Sequence, residues 1–143
     1  MRQRVSRARG KSKSSGLMQR IGVDLVEFKK ARIFYAEHEH RLENYFAGSE
    51  VSLIKKSRKP YESLALLLAA KEAVFKSSGL PWMGIDGFRK IRIFSRKNNQ
   101  LSFRLSGNFK RSYIHRPSSV LTFIKSKDYV IAECKSQHLK DLF

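Results

Sequence analysis

Three charged side chains stand where apolar ones would be expected. In AAKEAVFKSSG, Ala69 to Gly79, Glu72 and Lys76 follow LALLLAA, the most apolar run in the chain. Four residues apart in a helix, they share a face that carries Leu68 and Ala65 one and two turns earlier. The pair therefore continues an apolar stripe, and on spacing alone it reads as a salt bridge worth about 0.2–0.5 kcal/mol at an exposed helix end. The third residue is Asp24 in RIGVDLVEF, where Ile21, Val23 and Leu25 alternate with Gly22, Asp24 and Val26 in the period-2 pattern of a strand. Asp24 points to the face opposite the Ile/Val/Leu side. An acid inside a short apolar strand is uncommon unless it caps, pairs or binds a metal. Asp24 thus either caps the helix that follows it or meets Glu72. One carboxylate on a strand and one on a buried helix are the least a protein supplies to a magnesium site completed by substrate phosphates. Spacing alone does not show that the two meet.

The elements that must position these residues can be read from pattern. After the first strand, an amphipathic helical stretch runs from about Glu27 to Tyr45, with Phe28, Ala31, Phe34 or Tyr35, Leu42 and Phe46 as its apolar residues. A second helix surrounds SEVSLIKK, and Pro60 breaks it. ESLALLLAAKEAVFKSSG then reads as a long buried helix ending at Gly79. Beyond the loop LPWMGIDG, the alternating runs FRKIRIFS and QLSFRLSG, joined by RKNN, form a hairpin. NFKRSYIHR is expected as a short helix, and VLTFIKS with DYVIAECKS as a second hairpin. The order strand, helices, strands predicts a single α+β domain, an antiparallel sheet packed on a long central helix.

With 143 residues the chain can bury a core without disulfides, and its single cysteine, Cys134, forms none internally. Thirty Lys plus Arg against 12 Asp plus Glu give a net charge of +18, so an acidic partner is expected. Residues 1–17 are rich in Arg, Lys, Ser and Gly and read as a disordered basic tail, with the domain spanning 18–143. No stretch approaches the roughly 20 apolar residues of a membrane span, and no apolar segment follows the basic N-terminus. A soluble, cytoplasmic protein without a membrane partner is expected.

The motifs themselves carry a resemblance. IGVDLVE and, some 45 residues later, AAKEAVFKSSG resemble the two signature motifs of the holo-acyl-carrier-protein synthases, the AcpS-type 4'-phosphopantetheinyl transferases. The first is similar to G-x-D-[ILV]-x-E, the second to F-A-x-K-E-A-x-x-K-x-x-G with Leu68 in place of the leading Phe. Phe46 and Glu50 resemble the F-x-x-x-E between them, and VLTFIKSKDYVIAE resembles the closing hairpin. The resemblance covers roughly residues 19 to 135.

It implies an enzyme that moves the 4'-phosphopantetheine group of coenzyme A to a serine of apo-acyl carrier protein, releasing 3',5'-ADP. Asp24 and Glu72 would hold Mg2+. Glu72 and Lys76 would be catalytic, the serine proton going either to Glu72 or to a metal-positioned water. Lys71, Lys76, Gly79, Thr122 and Lys125 would contact the coenzyme, and Lys29, Lys30, Arg32 and Arg41 the acidic carrier protein. The family's usual homotrimer places active sites between subunits, leaving open that Asp24 and Glu72 come from different chains.

Four positions depart from the family pattern. Leu67 replaces an arginine five positions before Glu72, Pro81 interrupts the glycine loop after Gly79, and Val120 and Lys125 replace two histidines of the last hairpin. These changes remove coenzyme-contacting groups but keep both acids and Lys76, so a low-activity paralogue is one alternative. The other is a non-enzymatic, basic nucleic-acid-binding protein, motivated by the pI of about 10.5. Against it, Phe28, Phe34, Phe46, Phe75 and Phe103 follow core-like periods and do not interleave with basic residues as a stacking platform would.

Overall fold

The period-2 pattern around Asp24 becomes strand β1, Leu17–Glu27, paired antiparallel with the last strand, β5 (Tyr129–Leu139), from Leu17 opposite Leu139 to Glu27 opposite Tyr129. The computed structural model describes residues 17–79, 84–98, 100–106 and 119–139. Between β1 and β5 in the chain lie α1 (Phe28–His38), a 3-10 turn (Leu42–Asn44), α2 (Gly48–Lys56), α3 (Pro60–Ser78), α4 (Gly84–Lys90), β2 (Ile91–Ser95), β3 (Gln100–Leu105) and β4 (Ser119–Lys125). The strands form one antiparallel sheet in the order β1-β5-β4-β3-β2.

Helix α3 runs for 19 residues because both of its ends are written in sequence. Pro60 opens it, where its missing N–H is no loss, and Gly79 closes it in the left-handed conformation at φ 71°. Its small and branched residues Ala65, Leu67, Ala69, Ala70, Ala73 and Val74 are buried with Val130, Ala132 and Cys134 of β5 in one core. The short side chains let the helix lie close to the sheet.

The register divides the sheet into two faces. Gly22, Asp24 and Val26 stand opposite Cys134, Ala132 and Val130, all three buried beneath α3. Ile21, Val23 and Leu25 point the other way and are about half exposed, as is Val120 of β4, while Ile124 is mostly exposed. The apolar side of β1 is thus outward, and the side carrying Asp24 is the one α3 covers.

Several expected boundaries shift. The stretch from Glu27 to Tyr45 divides into α1 and the 3-10 turn, and GIDGFRK is helical, so the first hairpin strand begins at Ile91 and not at Phe88. The hairpin turn uses Asn98 at φ 60°, a conformation asparagine tolerates. Leu17, assigned to the tail, already belongs to β1. Residues 1–16, NFKRSYIHR and Pro81 lie outside the described residues.

Candidate active site

Gly22 brings β1 and α3 into close approach. A Cβ at this position would lie 2.0 Å from the Ala73 carbonyl oxygen and 2.6 Å from the Ser77 amide nitrogen, both backbone atoms of α3. Two residues along the same strand face stands Asp24, and the helix residues around the contact are Glu72 and Lys76. The Lys76 ammonium donates to Asp24 Oδ1 at 2.8 Å and to the Val23 carbonyl at 3.1 Å. Asp24 does not cap α1, whose N-cap position is Glu27.

Glu72 is half-buried, and its carboxyl is pushed above the usual carboxylate range. Burial is the largest cause, the neighbouring Asp24 charge adds to it, and Lys76 opposes both. Among the described residues, no hydrogen bond or ion pair ends on the Glu72 carboxylate. Two acids and one ammonium therefore converge at the open end of the β1–α3 contact, and one protomer supplies all three. Within one chain Asp24 lies close enough to Glu72 for its charge to act on it, so the two acids can meet without a second chain.

A family model described as the 4'-phosphopantetheinyl transferase superfamily matches residues 20–134, and these contain the whole cluster. The chain belongs to this superfamily. Among its relatives, the holo-[acyl-carrier-protein] synthase of Wolinella succinogenes is 32% identical over 113 residues, covering 78% of this chain and 92% of that one. The Clostridium kluyveri enzyme of the same name is 31% identical over 90 residues, 63% of this chain and 66% of that one. The fold is similar to the ACPS–CoA complex of Chronobacterium ammoniagenes, with a TM-score of 0.70 at 23% identity, covering 86% of this chain and 99% of that one. The Helicobacter pylori holo-[acyl-carrier-protein] synthase in complex with coenzyme A gives a TM-score of 0.65 at 24% identity, covering 80% and 96%.

Within this phosphopantetheinyl transferase fold the remaining site residues separate. Lys71, expected at the coenzyme, is fully buried, and its ammonium donates to Glu50 Oε1 (2.9 Å), the Phe88 carbonyl (2.9 Å) and the Ile91 carbonyl (2.6 Å). That expectation is corrected: one residue before Glu72, the helix turns the side chain by roughly 100°, away from the site and into the core. Burial pushes the Lys71 ammonium down from the usual lysine range, against the pull of Glu50. Glu50 also accepts from the Ala47 and Ile93 amides at 2.9 and 3.2 Å. Sequence reading placed Glu50 in a motif but assigned it no role, since its partners come from β2 and α3.

Lys125 is ion-paired with Glu62 near the start of α3, ten residues and so roughly 15 Å along the helix from Glu72. The pair lowers the Glu62 carboxyl, mainly through the Lys125 hydrogen bond. With Ser57, Ser63, Leu66, Phe123 and Val130 it lines a shallow cavity of about 170 Å³. Thr122 lies on the outer sheet face opposite Glu133, so no contact with Glu72 exists within the protomer. Gly79 follows Lys76 at the helix end, where a Cβ would lie 2.0 Å from the Arg20 guanidinium. Leu67 is 1% exposed and belongs to the core, which explains why an apolar residue fits there. Lys29, Lys30, Arg32 and Arg41 are all exposed on or just after α1; Arg32 lies over the Tyr61 ring at 4.4 Å, and Lys30 is 3.7 Å from Glu27. Phe28 and Phe46 are buried, and Phe34, Phe75 and Phe103 pack against the core, so these five rings offer no stacking platform.

Proposed function

We propose that this chain transfers the 4'-phosphopantetheine group of coenzyme A to a serine of an apo-acyl carrier protein, with 3',5'-ADP as the second product. The observation that carries the reading is the convergence of Asp24, Glu72 and Lys76 at the β1–α3 contact in a fold shared with coenzyme A complexes. The relatives named holo-[acyl-carrier-protein] synthase supply the acceptor class.

The donor set fits a small, hard cation such as Mg2+. Burial first, and then the charge of Asp24 from the facing strand, raises Glu72, and an oxygen-only pair is the kind of site that substrate phosphates and water complete. Asp24 and Glu72 would hold the ion, which when bound would neutralise charge on the phosphate under attack. Lys76, ion-paired with Asp24, would donate to the coenzyme pyrophosphate and to the departing phosphate. Glu72 or a water held beside it would take the serine proton. Gly79 offers its backbone next to Lys76, whereas Lys125 would reach a phosphate only by leaving Glu62.

The exposed Lys29, Lys30, Arg32 and Arg41 would orient the acidic carrier, since complementary charge raises encounter rates and fixes orientation. A homotrimer would cover the outward apolar residues Ile21, Val23, Leu25, Val120 and Ile124 and bring Thr122 toward a neighbour's coenzyme. Among the described residues no helix is long and apolar enough to cross a membrane.

Incubating the protein with coenzyme A, Mg2+ and an apo-carrier protein should add the mass of one phosphopantetheine group to the carrier. Chelation and Glu72→Ala should each abolish the addition while the circular dichroism of the variant is retained. No addition to any of several apo-carrier proteins would sink the reading.

A further inference from the structure

A buried lysine and glutamate next to the reacting cluster call for explanation, because an apolar pair of similar volume is often as stable as a buried ion pair, or more so. Lys71 and Glu50 are 0% and 1% exposed. What the pair adds is direction. Lys71 Nζ is held by three acceptors: Glu50 Oε1, the Phe88 carbonyl of α4 and the Ile91 carbonyl of β2. Both Glu50 oxygens are used as well, by the Ala47 amide before α2, by Lys71 and by the Ile93 amide of β2. The Phe46 ring lies 5.3 Å from the ammonium on a further side. Helix α3 is thus clamped at one residue by fixed-length bonds to α2, α4 and β2, and two residues later Ala73 abuts Gly22 of β1. Glu72 sits between these two restraints. A methionine at 71 would fill the space but would permit small rotations of the helix about its axis, and a rotation carries Glu72 with respect to Asp24.

We infer that Lys71 and Glu50 are positioning residues for the transfer reaction, fixing the azimuth of α3 so that Glu72 and Lys76 face Asp24. The inference rests on the proposed transferase reading. Lys71→Met alone would strand the Glu50 carboxylate in the core, so the test replaces both residues. Glu50→Leu/Lys71→Met is expected to fold, by its thermal transition and circular dichroism. Its kcat should fall about 10- to 100-fold, as sub-ångström misplacement of reacting groups does, with the KM values for coenzyme A and carrier protein changed less than about 3-fold. Glu50→Gln is the milder second variant: it keeps the shape and one acceptor for Lys71, and should show a smaller loss in kcat, again with KM retained. A folded variant of either kind with kcat within about 2-fold of wild type, or with its whole loss in KM, overturns the inference. So does unfolding of both variants, since the pair would then be structural only. An inactive wild-type protein fails the transferase reading itself, whereas an active wild type with an unaffected variant fails only the positioning role.

Discussion

At Glu72 stability and chemistry pull in opposite directions. Burial and the Asp24 charge hold its carboxyl above the ordinary carboxylate range of about 4.3, so the folded state binds that proton more tightly than the unfolded chain does. Its contribution to stability is therefore fully present below the unfolded pKa and is lost as pH rises through the raised folded value. Above that value the ionised side chain is a net cost to the fold. Glu72→Gln should accordingly melt no lower than wild type at pH 7 in the absence of divalent cation, while transfer falls about 100-fold or more. Scanning calorimetry and the carrier mass assay together check both halves, and a lower melting temperature would show that the Lys76 attraction outweighs burial. At Leu67 the reverse holds: no chemistry is present and packing governs. Leu67→Arg puts an unpaired cation into a 1%-exposed site and should destabilise the fold by several kcal/mol, read as a loss of urea midpoint.

The decisive contact between elements is the crossing of β1 and α3. Their separation is set by the absence of a side chain at Gly22, because backbone atoms of Ala73 and Ser77 occupy the place of a Cβ. Backbone cannot swing aside as a side chain can. Gly22→Ala should therefore cost about 2 kcal/mol or more and lower transfer in whatever fraction stays folded, since the shift moves Asp24 from Glu72 and Lys76. Denaturant unfolding and kcat measured on the same preparation check it. A fully stable, fully active Gly22→Ala protein would mean that the two elements can separate without consequence. On the other flank of α3, Lys71 and Glu50 hold the helix to α2, α4 and β2.

At the scale of the whole molecule, one face of the sheet carries the core, and on the other, among the described residues, exposed apolar side chains flank Thr122, Glu133 and Lys135. Ile21, Val23, Leu25, Val120 and Ile124 are each 46–71% exposed. The proposed homotrimer would cover these apolar side chains. Val23→Arg at its middle should shift the protein to monomer, measured by light scattering after gel filtration, and reduce transfer if the coenzyme is shared between copies. A unit mass unchanged by the substitution would leave that face without the proposed role.

The sequence by itself determined β1, the bounds of α3 and the residues proposed to react, but not α4, which was expected as loop. Pro60 and Gly79 bound α3, the alternation around Asp24 makes β1, and IGVDLVE with AAKEAVFKSSG contains both acids and Lys76. These are local signals: a cap, a period, a motif. Tertiary structure decided what those signals leave open, because it depends on partners distant in the chain. Period-2 alternation separates two faces but cannot say which one a helix will cover; α3 covers the Asp24 face and leaves the apolar one outside. The motif places Lys71 beside Glu72, but only packing against Glu50, Phe88 and Ile91 turns Lys71 into the core. Likewise, the hairpin motif offers Lys125 as a phosphate contact, and only the fold gives it Glu62. Asp24 and Glu72 were legible as residues; that they meet follows from Gly22, whose missing side chain lets strand and helix touch.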